Sequence, residues 1–304
     1  MVLPVKTNLR FMLKYVGRPL ALMFAFDVVV AVVYVYGHWT GIAMPSVPLT
    51  IFGGVIGVIL GFRNASSYQR WWDARTLWGQ IVNHSRTFAR QVLTFPDHAG
   101  GGEAADLEAS QRRVVLLQIA YVHSLRCQLR GQPPWTELEG LMPEMDWMAA
   151  RSERNVPLYI QQQIAQIVGG WFQRGWIDNL RWTALDATLT ALMNAQGGAE
   201  RIKNTPLPKQ YDYYPQLFVT MYCILLPLGM VASLKLLTPI GSTLVGFMFL
   251  ALDQIGRDLE APFENDEHDV PITAISRTIE INLKQLLGER ELPEPVKPVY
   301  GVLW

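Results

Sequence analysis

Residues 47–72, VPLTIFGGVIGVILGFRNASSYQRWW, carry no charge as far as Phe62 and then turn polar at Arg63 with no helix breaker at the change. An apolar run keeps its backbone folded in lipid only where its peptide groups are satisfied internally, so the pattern predicts a membrane helix. The competing reading is a buried helix of an ordinary bundle. Two ladders of four-residue spacing lie within the run. Gly53, Gly57 and Gly61 fall on one face, where the missing side chains would let another helix approach. Gly54, Val58 and Phe62 fall about 100° further round. That second face is expected to border a narrow, water-poor passage.

Three more apolar stretches stand out, at 19–36, 215–234 and 238–252, which with 47–62 make four spans. The second and fourth are shorter than the ~20 residues of a free-standing span. They are expected to sit inside a bundle or continue as helix into water. The second has the sequence to do so, because residues 63–92 contain only Gly79 as a breaker.

Basic residues set the orientation. Lys6, Arg10, Lys14 and Arg18 precede the first span, Arg63, Arg70 and Arg75 follow the second, Arg201, Lys203 and Lys209 precede the third, and Arg257 follows the fourth. The loop at 37–46 has no Lys or Arg, and the link between the last two spans has only Lys235. The positive-inside rule then puts both termini and the long insert in the cytoplasm, with Trp39 and Tyr34 or Tyr36 at the outer interface. A secretory leader is disfavoured, because the first run is long and no small-x-small cleavage site follows it.

The expected organisation is 1–62 for the N-terminal segment and first two spans, 63–213 for a cytosolic helical domain, 214–256 for the last two spans, and 257–304 for an acidic loop and tail. The cytosolic helices are expected at about 63–93, 105–131, 157–173 and 178–198, with another at about 273–287. No strand pattern of useful length occurs. The fold class is therefore all-α, a four-span transmembrane helical bundle with a large cytosolic helical domain. The proline-spaced tail ELPEPVKPVYGVLW is expected to run extended along a partner subunit.

Composition agrees with a part-membrane chain. Of 304 residues, 50% are hydrophobic and 17% charged, with no net charge. No basic run with interleaved aromatics points to nucleic acid. Cys127 and Cys223 are far apart and read as small buried hydrophobes. His84, His98, His123 and His268 share no metal-ligand spacing. Without a nucleophile elbow, phosphate loop or triad, the chain does not read as an enzyme.

Acidic residues are the remaining chemistry. Asp27 lies mid-span, where a carboxylate is functional or paired. It makes a secondary transporter with a membrane-embedded coupling site the alternative function, although no inverted repeat is evident. A membrane scaffold that conducts nothing is a third reading. Asp253 sits near the inner end of the last span. Asp258, Glu260, Glu264, Asp266, Glu267 and Asp269 crowd the turn after it, either as oxygen ligands for a hard cation or as a solvated patch capping helices.

PLTIFGGVIGVILGFRNASSYQRWW, AQGGAERIKNTPLP at 195–208 and DLEAPFENDEHDVPI after the last span together resemble bacterial members of the bestrophin family, in order over almost the whole chain. The resemblance implies a homopentameric ion channel in the bacterial inner membrane, with one axial pore narrowed at a membrane neck and again at a cytosolic aperture. It implies that small inorganic ions permeate, with chloride or monovalent cations both open. Carried over by position, the neck falls on Gly54, Val58 and Phe62, with Phe62 the tightest ring and Gly54 supplying no bulk. The aperture falls on Ile177, at the start of the helix after GGWFQRGW. The family's calcium clasp matches only in part: Asp258, Asp266 and Asp269 fall on ligand positions, but Ala261 stands where an amide is usual. A structural acidic turn with weak calcium or none is therefore expected, and no cofactor is required. Whether Arg63 and Asn64 face the axis is left open by the sequence.

Overall fold

The computed structural model describes residues 1, 9–97 and 104–304; His98 lies outside them. The described residues are mostly helical and contain no strand, only an isolated bridge between Val299 and Val302. The helices are α1 (Leu9–Val35), α2 (Ser46–Thr94), α3 (Ala104–Leu129), α4 (Trp135–Leu138), α5 (Glu144–Ala150), α6 (Val156–Gln173), α7 (Asn179–Asn204), α8 (Lys209–Leu234), α9 (Thr238–Glu260) and α10 (Ile272–Leu286). Two compact units form, one from Pro4–Trp71 and Pro206–Ala261, the other from Met1–Leu3, Trp72–Thr205 and Pro262–Trp304.

The first unit holds the apolar helices. Tyr15–Val35, Pro48–Thr94 and Lys209–Glu260 are long and apolar enough to cross a membrane. The last of these is broken into α8 and α9 by a short 3-10 turn, with Lys235 at φ 48°. α1 is kinked at Val16, three residues before Pro19, whose ring excludes a straight helix there. α1 packs on α9 and α8, and α8 on α9. The core joins Met23 of α1, Leu49, Ile56 and Leu60 of α2, and Val219, Tyr222, Cys223 and Leu226 of α8. Phe52 meets the rings of Phe218 and Tyr222 edge-on, at 6.4 and 6.1 Å between centroids.

α2 runs for 49 residues without interruption, about 74 Å at 1.5 Å per residue. The change from apolar to polar at Arg63 therefore marks a change of surroundings and not the end of the helix.

The second unit is organised around α3, which is buried nearly all round from Val114 to Cys127. α6, α10, α4 and α7 pack against it. Asn155 caps α6 by accepting the Leu158 N–H at 3.0 Å, and Asp178 caps α7 by accepting the Arg181 N–H at 2.8 Å. The short helices α4 and α5 lie within what the sequence presents as Pro- and Gly-rich linkers. The end of the tail does not run away from its own unit: the Ala274 N–H donates to the Trp304 carbonyl at 2.7 Å, covering an orphan donor at the start of α10.

His123 is a core residue here. Its Nε2 lies 3.1 Å from Glu280 Oε2, and its Nδ1 lies 3.6 Å from Glu137. Arg277 and Lys284 also reach Glu280, at 2.8 and 3.0 Å. Burial would raise the Glu280 pKa, but the hydrogen bonds from His123 and Lys284 and the nearby positive charge prevail and lower it to about 2. A depressed carboxylate pKa stabilises the fold above its unfolded value, and that stability is lost as pH falls through the folded one. Chemical denaturation should therefore show stability falling between about pH 4.5 and 2. Glu280→Gln should flatten that slope and cost about 2 kcal/mol at neutral pH; an unchanged acid limb would refute the assignment.

Candidate functional site: the exposed stripe of α2 and the charge knot behind it

The first half of α2 has two faces of different fate. Leu49, Gly53, Ile56, Leu60, Arg63 and Ser67 follow each other at three- and four-residue steps and are buried. Gly54, Val58 and Phe62 lie exposed on the other side, Val58 at 60% and Phe62 at 70%. Ile51 and Val55 are exposed as well. Bulky apolar side chains left uncovered in a row on a helix mark a surface that meets something other than its own subunit.

The glycine ladder divides. Gly53 is closely packed: a Cβ there would fall 2.6 Å from the Tyr222 hydroxyl and 2.9 Å from its Cζ. Gly57 and Gly61 have no neighbour within 4 Å of where a Cβ would stand. Only Gly53 is used for helix approach inside the subunit.

Behind the stripe lies a charge knot. Arg63 is 1% exposed, and its two terminal nitrogens reach Asp253 Oδ1 and Asp212 Oδ1, each at 2.6 Å. Asp253 is 2% exposed and its second oxygen takes Arg257 at 2.9 Å. Asn64 Nδ2 donates to the Leu252 carbonyl at 2.9 Å. Gly256 makes the approach possible, since a Cβ there would come 3.5 Å from Arg63 Cζ and run into Asn64. A planar fork serves two carboxylates at once, which a lysine cannot do. The polar pair Arg63–Asn64 thus faces α9, not the exposed side, and Asp253 is a buried ion-pair partner.

Asp27 is fully buried in α1 and accepts a hydrogen bond from Thr243 of α9 at 3.1 Å. The acidic turn is also internally engaged. Asp258 accepts from Tyr15 and, at 2.7 Å, from Gln254. Asp269, buried, accepts the N–H groups of Asn265 and Asp266 at 2.7 and 3.2 Å, while Asp266 is exposed. Burial raises the Asp269 pKa to about 6 against those two donors, which pull it down. Among the described residues no three acidic, His or Cys side chains are gathered to hold a metal ion.

In the second unit Ile177 is 3% exposed, in the turn before α7, so its side chain belongs to the protein interior. Leu180, in the first turn of α7, is 82% exposed. Of these two apolar residues, Ile177 is covered within the chain and Leu180 is left exposed. Ile and Leu of one short segment look alike in a sequence, and only burial distinguishes them. The turn is held by the Asp97 N–H donating to the Trp176 carbonyl at 2.9 Å and by Arg181 on Asp97 at 2.7 Å.

Comparison with known proteins decides the family. The model for the bacterial and fungal bestrophin proteins matches residues 11–285. This chain belongs to the bacterial and fungal bestrophin family. A voltage-dependent anion channel-forming protein of Ralstonia nicotianae is 34% identical over 275 residues, 90% of this chain and 87% of its own length. The YneE protein of Escherichia coli K12, of the same description, is 33% identical over 294 residues, 94% of this chain and 91% of its own. A crystal structure of a bacterial bestrophin homologue from Klebsiella pneumoniae superposes with a TM-score of 0.82 at 29% identity, covering 90% of this chain and 98% of that one. Family membership and the apolar helices together make this bestrophin a membrane protein.

Removing one side of a buried ion pair strands the other. Arg63→Ala should cost about 3–5 kcal/mol and Arg63→Lys somewhat less, read by thermal unfolding of the detergent-solubilised protein. Gly61→Ala should be nearly silent in the same assay, whereas Gly53→Ala should destabilise by about 1–3 kcal/mol through the Tyr222 ring. Equal effects at the two glycines would contradict the packing described.

Proposed function

We propose that this bestrophin is a channel for small inorganic anions, built from five copies around one axis in the bacterial inner membrane. The observation that carries the reading is the exposed stripe Gly54, Val58 and Phe62, set on a helix whose opposite face is fully used. Five such stripes facing one another would form a neck with Phe62 as its tightest ring. Four spans, from α1, the first half of α2, α8 and α9, would leave both termini in the cytoplasm, in keeping with the basic flanks.

A wall of Val and Phe offers no ligands to replace an ion's water. It acts as a hydrophobic constriction that conducts when wetted and blocks when dry. Leu180 takes the place of Ile177 as the apolar residue of the cytosolic aperture, because it is the exposed one. Arg63 does not act on the permeant ion directly, since its charge is matched by Asp253 and Asp212. Anion preference is supported by the anion channel-forming description of the relatives. The relatives' descriptions favour a channel over an enzyme.

In planar bilayers under a chloride gradient, the reversal potential should lie near the chloride equilibrium value. A value near the cation's would overturn anion preference. Saturable exchange without single-channel events would favour the transporter reading through Asp27. Phe62→Ala should raise single-channel conductance several-fold while changing stability by less than about 0.5 kcal/mol, as expected for an exposed side chain. Unchanged conductance would remove Phe62 from the neck.

A further inference from the structure

A cavity of about 520 Å³ lies between α3 and α6 in the second unit. Its size is in the range of small-molecule sites, about 300–1,000 Å³. Two guanidinium groups line it, Arg113 from α3 and Arg174 from the end of α6. Among the described residues Arg174 has no ion-pair partner; its guanidinium lies 4.9 Å from the centre of the Trp176 ring. A guanidinium held by its face on an aromatic ring keeps its in-plane N–H donors for a ligand. Arg113 is paired with Asp146 at 2.8 Å, so the three groups together carry one unbalanced positive charge.

The rest of the lining suits an organic anion and not a bare ion. Trp171 is 1% exposed and its indole N–H is spent on Ser110 Oγ at 2.7 Å, which fixes the ring beneath the cleft, and the half-buried Ile167 supplies apolar lining. Ser110 accepts that bond and keeps its own O–H to donate. Gln163 adds an amide. Gly170 opens the middle of the cleft, since nothing lies within 4 Å of where its Cβ would stand.

We propose that the α3–α6 cleft binds a short-chain dicarboxylate, one carboxylate on Arg174, the other on Arg113 in competition with Asp146, and the carbon chain against Ile167. Guanidinium forks recognise carboxylates through paired N–H donors, and two forks lining one half-apolar cleft favour two carboxylates joined by carbon.

The test uses the full-length protein in detergent micelles, with isothermal titration calorimetry against succinate, acetate and inorganic phosphate. Succinate should bind saturably and more tightly than acetate or phosphate. Arg174→Gln should weaken succinate about tenfold. Gly170→Leu, whose Cβ meets nothing within 4 Å and whose side chain would occupy part of the cavity, should abolish binding. Asp146→Asn, which frees Arg113, should tighten it several-fold, an effect that mere loss of structure would not give. Succinate that fails to bind the unaltered protein, binding unmoved by Gly170→Leu and Arg174→Gln, or preference for phosphate would each overturn the proposal.

Discussion

The ion pair between Arg63 and Asp253 fixes how α2 is turned. A helix repeats every 3.6 residues, so pinning one side chain settles which side every other residue takes. With Arg63 drawn into α9, the residues that precede it at successive steps of three and four, Leu60, Ile56, Gly53 and Leu49, must face the core. Val58 and Phe62 are then left outside. The pair is deeply buried, and either charge alone would be stranded in low dielectric, so the rotation cannot drift.

Glycine makes this arrangement possible where backbones or rings must come close. Gly256 gives Arg63 and Asn64 their approach to α9, and Gly53 admits the Tyr222 ring against α2. Gly57 and Gly61 sit in the same helix with open space beside them. Within one subunit the repeat of small residues is thus less regular in use than in spelling.

The second unit is held by different means. α3 is surrounded, and its buried polar groups are gathered into a set that includes His123, Glu280, Glu137 and Arg126. The set ties three helices through charge-assisted bonds, where apolar contact alone would tolerate sliding. The cleft between α3 and α6 lies in this unit, with Trp171 as one of its walls.

The sequence by itself determined the helical class, the apolar stretches and the passage of α2 unbroken from apolar to polar surroundings, because length, composition and the absence of breakers act locally. The exposed stripe was legible too, since a four-residue step is a property of one helix. The partners of Arg63 lie about 150 and 190 residues away along the chain, at Asp212 and Asp253. Which apolar residue before or in α7 is covered, and whether carboxylates of the acidic turn gather or serve as caps, also depended on segments distant in the chain. Those were decided only by the tertiary structure, because burial and ion pairing are relations between segments that no local pattern encodes.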